Sequence, residues 1–177
     1  MKIVAEKVVY KARFFEVKEQ KVLLPNNKKH SYTIAERLPT VNIFPLDDTC
    51  NLYLISQYRY MFNRRVLEAV GGHVEKNETS LTAAKRELKE EIGMVGSHWE
   101  ELARIEKSAS VFKETAHLFL VRDLEQGKPE PETGEDIILG KLPLKEAGEK
   151  VMSGEINNAA TMIGIFILDR LRMEKKL

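Results

Sequence analysis

One cysteine in 177 residues, Cys50, rules out an intrachain disulfide. A domain of this length buries roughly 70% of the surface its unfolded chain exposes, so it can fold without covalent staples. A lone thiol in the turn-like run Asp47-Asp48-Thr49-Cys50-Asn51 fits a reducing compartment, and the expected location is cytoplasmic. Long apolar runs are missing too. The strongest, residues 162–168, is far short of the ~20 residues a spanning helix needs. Near the N-terminus Glu6, Lys7, Lys11 and Arg13 break up any signal-peptide core, so no membrane partner is expected. Histidine is scarce, at four, with no His-x-x-x-His and no Cys pair, which speaks against a zinc site. An excess of one charge is also lacking. With 28 Lys plus Arg against 27 Asp plus Glu, a nucleic-acid coat is excluded, and no nucleic-acid partner is expected.

What is present is unevenly laid out. Residues 1–67 carry 12 basic and 6 acidic side chains, whereas residues 68–101 carry 4 and 8, so a balanced total hides a local acidic region. Alternating apolar residues over 7–24, the turn Pro25-Asn26-Asn27 and a second run over 31–38 predict an N-terminal hairpin-like unit. Residues 41–46 and 52–58 flank the Asp47 turn and read as a second hairpin of well-buried strands. A short strand over 66–70 ends at Gly71-Gly72, where backbone can approach a ligand. Residues 102–111 and 115–121 read as paired strands, 125–135 as a polar loop, and 137–142 as a strand. Helices are expected over 144–153 and from Asn157 or Asn158 to about 173.

The clearest helix is residues 79–92, with Leu81, Leu88 and Ile92 on one side and Gly93 as its stop. At ~100° per residue, Glu87, Glu90 and Glu91 fall within about 100° of one another. Like charges at these spacings cost a helix a few tenths of a kcal/mol per pair, so something should compensate them. A hard divalent cation with oxygen ligands, Mg²⁺ before Mn²⁺, is the natural candidate. The alternative is a solvated acidic face beside Lys85 and Lys89.

The framing of that helix resembles the Nudix box: Gly, five residues, Glu, seven residues, Arg-Glu, an aliphatic, any residue, Glu-Glu, any residue, Gly, an aliphatic. Gly72, Glu78, Arg86, Glu87, Leu88, Glu90, Glu91, Gly93 and Met94 match every position. Seven identities at roughly one in fifteen each give a chance match on the order of one in a million for this length. The resemblance implies an α+β fold, a Nudix-type α/β/α sandwich with a mixed sheet. It also implies a hydrolase using Mg²⁺ or Mn²⁺ on a nucleoside diphosphate linked to another moiety. By the same resemblance Glu87, Glu90 and Glu91, with the Gly71 carbonyl, are the metal ligands, and Glu78 and Arg86 form a structural ion pair.

Outside the box, Gln57-Tyr58-Arg59-Tyr60, Leu67-Glu68-Ala69-Val70-Gly71-Gly72 and 117–124 resemble the branch that cleaves ADP-ribose and nucleoside diphosphate sugars. Near the C-terminus, Ser153-Gly154-Glu155-Ile156-Asn157-Asn158 fits as well. The branch implies that Arg59 contacts the diphosphate or terminal ribose and that Glu68 helps fix the site. Either could instead be an ion-pair partner, Glu68 with Arg59 or Arg64. The branch also implies a catalytic carboxylate on a late loop, here Glu135 first and Glu132 second, with Glu90 among the catalytic groups. Glu114 is a weaker substrate-binding candidate. The resemblance further implies a homodimer in which an N-terminal unit, residues 1–40, is exchanged between subunits and completes the partner's pocket, with the hydrolase domain over 41–177. Phe14, Phe15, Tyr32 and Arg37 are then available to stack on a base or meet a phosphate.

Two departures bear on the substrate. The branch has Glu-Leu-Pro-Ala-Gly where this chain has Glu68-Ala69-Val70-Gly71-Gly72, and Ser-Pro-Gly where it has Ser108-Ala109-Ser110. The expected activity is therefore hydrolysis of ADP-ribose or a related nucleotide sugar to nucleoside monophosphate and sugar phosphate. A GDP-sugar (GDP-mannose type) hydrolase, a nucleoside triphosphate pyrophosphatase and a non-enzymatic nucleotide-binding module stay open.

Overall fold

Apolar side chains on both faces of two neighbouring strands decide the layering. In the computed structural model, which describes residues 1–108, 110–130 and 136–177, β4 (Thr40–Pro45) runs parallel to β9 (Thr115–Gln126), and β9 runs antiparallel to β7 (Met94–Glu106). Val41 and Ile43 of β4, with Phe119 and Val121 of β9, face α1 (Ser80–Ile92). Phe44, Leu118 and Leu120 face the other way, toward α2 (Leu144–Met152) and α3 (Ala159–Met173). The result is an α/β/α sandwich, and burial of both faces of a strand stabilises each such side chain by roughly 1.5–3 kcal/mol.

A second sheet has the order β10-β5-β6, from β10 (Ile137–Pro143), β5 (Asn51–Arg59) and β6 (Arg64–Glu68). The hairpin expected from residues 41–46 and 52–58 is therefore not a ladder. β4 and β5 lie in different sheets, and past the end of β4 the isolated Leu46–Leu52 bridge joins the two segments. The reason lies in the turn. Asp47 accepts from the backbone N–H of Thr49 and of Asn51, and Cys50 takes φ 58°, so the chain swings out of one sheet into the next. Burial raises the Asp47 carboxyl, but donation by Lys141, Asn51 and Thr49 outweighs it and holds the group well below the usual carboxylate range.

The N-terminal run over 7–24 is two strands rather than one. β1 (Lys2–Lys11), β2 (Phe15–Leu23) and β3 (Lys29–Arg37) form a meander, turned where Ala12 N–H donates to Phe15 O at 2.9 Å. A two-residue strand, β8 (Phe112–Lys113), pairs with Ala35 and Glu36 and ties this sheet to the body. Between β5 and β6 a single 3₁₀ turn, Tyr60–Phe62, leaves three large side chains exposed. No helix among the described residues is long and apolar enough to cross a membrane.

Candidate active site

The helix that carries the acidic cluster is fixed at both ends. Thr79 accepts from Thr82 N–H at 3.1 Å, and Gly93, at φ 67°, turns its N–H back to Leu88 and Lys89 carbonyls. With Ala83, Ala84, Leu88 and Ile92 buried, the adjoining side of α1 presents Glu87, Glu90 and the buried Glu91 to a cavity of about 830 Å³. The cavity's other walls come from β5 and β6, the end of β3 and the start of α3.

Arg86 answers the question of charge compensation raised by the sequence. Its Nε and Nη2 donate to the two oxygens of Glu78 at 3.1 Å each, and Nη1 donates to Glu87 at 2.8 Å and Glu90 at 2.9 Å. Nη2 also reaches the His73 carbonyl at 3.1 Å. Hydrogen bonding to Glu78 is the main reason its pKa lies above an ordinary arginine's, and the same bond holds the Glu78 carboxyl below the usual range. The carboxylate cluster is thus counterbalanced by the chain itself.

The loop before α1 is shaped to the carboxylates. Gly71 N–H donates to Glu91 Oε2 at 3.0 Å. At Gly72 a Cβ would lie 2.2 Å from Glu87 Oε1, so only glycine lets that carboxylate lie against the backbone. The donor set of Glu87, Glu90, Glu91 and a backbone carbonyl is all oxygen, on an open wall, and fits a hard divalent cation that keeps waters and substrate phosphate. Among the described residues no three His, Cys, Asp or Glu side chains already converge on one point, so such a cation would draw these groups together.

The other predicted residues separate cleanly. Arg59 donates to Glu68 at 2.7 Å, and Asn158 Nδ2 donates to the second Glu68 oxygen at 3.2 Å. Glu68 is buried at 6% exposure. Arg37 and Glu114 are bonded to each other at 3.0 Å in the same cavity. Tyr32 is not gathered in: within one chain it lies in a separate recess of the N-terminal sheet with Glu6, Lys7 and Gln20, edge-on to His30. Glu132 and Glu135 lie outside the described residues.

Several cleft residues were not foreseen. His73 stacks on Phe14 with ring centroids 4.2 Å apart and an angle of 10°, while Arg13 covers Phe14 at 4.6 Å. Burial, then the charge of Arg37, lowers the His73 pKa and favours the neutral ring. Lys107 and Asn158 also line the cavity. Only Asn158 left a local signal, as the cap of α3, where its side chain accepts from Thr161 N–H.

With this geometry in hand, comparison with known proteins decides the family: the family model of the NUDIX domain matches residues 36–158. The chain belongs to the Nudix family. It is 30% identical over 166 residues, covering 92% of this chain and 80% of the relative, to an ADP-ribose pyrophosphatase of Mycobacterium tuberculosis (strain ATCC 25618 / H37Rv). A Bacillus subtilis (strain 168) ADP-ribose pyrophosphatase is 25% identical, with 93% and 90% covered. A methanol dehydrogenase activator of Bacillus methanolicus is 24% identical over the same shares. A solved structure described as an ADP compounds hydrolase superposes with TM-score 0.85 at 23% identity, covering 99% of this chain and 96% of that one, which establishes the Nudix fold. The chain is a Nudix hydrolase, and α1 with its preceding loop is its Nudix box.

Proposed function

We propose that this Nudix hydrolase cleaves the diphosphate of ADP-ribose or a related nucleoside diphosphate sugar, as a cytoplasmic, Mg²⁺-dependent homodimer. The observation that carries this reading is the placement of the box carboxylates on one wall of a cleft whose other walls bear Arg37 and Arg59, in a chain akin along nearly its whole length to two ADP-ribose pyrophosphatases.

The reaction adds water across a P–O–P bond. The water oxygen bonds to one phosphorus, the bridging oxygen leaves with the other phosphate, and the water proton passes to a carboxylate, for which Glu135, then Glu132, is our choice. Glu87, Glu90, Glu91 and the Gly71 carbonyl would hold the cation. When bound, that cation neutralises the diphosphate and lowers the pKa of a bound water. Arg59, fixed by Glu68, keeps a cationic edge toward the substrate, while Arg86 keeps the acidic wall from repelling itself open. Tyr32 serves, in our reading, from the partner subunit's side.

A panel of ADP-ribose, ADP-glucose, GDP-mannose, UDP-glucose, diadenosine polyphosphates and nucleoside triphosphates, with Mg²⁺ and chromatographic product analysis, tests the activity. AMP and ribose phosphate from ADP-ribose are the expected products. Release of monophosphate from triphosphates alone would refute the sugar-diphosphate reading, and preference for GDP-mannose would move the chain to the GDP-sugar alternative. The dimer has separate support: β1 is exposed along its length, with Ile3 at 52%, Val8 at 46% and Tyr10 at 57%. Sedimentation equilibrium should give twice the chain mass, and removal of residues 1–11 should give a monomer; a monomeric full-length chain defeats this part.

A further inference from the structure

Glu114 is buried at 6% exposure, yet it meets two cations rather than one. Its Oε2 accepts from Arg37 Nη1 at 3.0 Å and its Oε1 from Lys107 Nζ at 2.8 Å. We propose that Arg37 and Lys107, clamped side by side on the Glu114 carboxylate, form an anion seat in the cleft that takes a phosphoryl group of the nucleotide. The proposal rests on the nucleotide-cleaving function above and assigns Glu114 as a positioning residue, acting through the two cations.

Three separate segments build the seat. Lys107 immediately follows β7, Glu114 immediately follows β8, and Arg37 ends β3. Their backbones are bracketed: Lys107 N–H donates to Glu114 O at 3.0 Å, and β3 runs parallel to β8 at Ala35 and Glu36. A buried carboxylate requires one counter-charge, so a second leaves the group at net +1. That surplus faces the cavity, since Arg37 and Lys107 side chains are 38% and 30% exposed and both line it.

The other cleft cations are differently engaged. Arg86 is held by Glu78, Glu87 and Glu90, and Arg59 by Glu68. Arg64 donates to Asn157 and a backbone carbonyl, and among the described residues no buried carboxylate aims it. A planar guanidinium beside an ammonium, both fixed before the ligand arrives, suits the several oxygens of a phosphoryl group. The stacked rings of Phe14 and His73 adjoin the seat, His73 Nε2 lying 3.5 Å from Arg37 Nη2.

Titration calorimetry of the full chain in EDTA, with AMP and with adenosine, tests the seat without metal or turnover. AMP is expected to bind more tightly than adenosine. Lys107→Gln should weaken AMP about five- to tenfold and leave adenosine unchanged, and Lys107→Arg should recover most of the loss. In Mg²⁺, Lys107→Gln should raise KM for ADP-ribose far more than it lowers kcat. The proposal is overturned if AMP binds no better than adenosine, if Lys107→Gln binds AMP as the native chain does, or if it weakens both ligands equally. Lys107-dependent AMP binding in a chain that leaves ADP-ribose intact would overturn the function above and keep the seat.

Discussion

Glu91→Gln is expected to lower turnover of ADP-ribose at saturating Mg²⁺ by about a hundred- to a thousandfold, with the melting temperature nearly unchanged. The two halves of this expectation come from different atoms. Glu91 Oε2 accepts the Gly71 N–H, and a glutamine amide oxygen can accept the same bond, so the loop stays docked on α1. What is lost is one negative charge on the wall assigned to the cation. Glu90→Gln should act in the same direction. Its side chain is 35% exposed and its tie is to Arg86, so its effect on folding should be small as well. Native kcat in both variants, measured at several Mg²⁺ concentrations, would sink the assignment of these carboxylates.

Arg86→Gln should do the opposite and strike stability first, by about 2–3 kcal/mol, because a partly buried guanidinium leaves Glu78, Glu87 and Glu90 without it. The pH dependence carries the sign. In the native chain Arg86 holds the Glu78 carboxyl below its ordinary value, so this contribution is fully present above the ordinary glutamate pKa and is lost as pH falls through the depressed one. In Arg86→Gln the unbalanced carboxylates favour protonation, and the variant should lose less stability on acidification than the native chain. Mg²⁺ should raise its melting temperature more than it raises that of the native chain, since the ion replaces the missing charge. Equal Mg²⁺ shifts in the two proteins would show that the cluster does not hold the ion.

Legibility in the sequence followed the range of the interactions. The box is one turn-and-helix segment, so Gly93 and the 3.6-residue period place α1 to within a residue, and the resemblance to the Nudix box implies the pairing of Glu78 with Arg86. The Arg59–Glu68 contact was also within reach, because nine residues span one short antiparallel pair. The partnership of β4 with β9 was not, since paired residues such as Thr40 and Ala116 stand 76 positions apart and both strands are apolar on both faces. A local turn at Asp47 then suggested a hairpin that the sheets do not contain. Glu114 was suspected as a lone acid near the substrate; its two cations come from Arg37 and Lys107, and no local pattern announces a charge triad assembled from three segments. Tyr32, expected to complete the partner's pocket, lies in a recess of the N-terminal sheet apart from the cleft of its own chain.

The loop entering the box is stitched on every side: Val41 N–H to Gly72 O, Val74 N–H to Pro39 O, Gly71 N–H to Glu91 and Arg86 to the His73 carbonyl. The segment of chain that would carry the reaction therefore has no freedom to adapt to a new leaving group. Variation in what is cleaved must come from the borders of the cleft, foremost the exposed three-residue turn at Tyr60–Phe62. A lineage of this protein could exchange those borders repeatedly and inherit the same hydrolytic chassis each time.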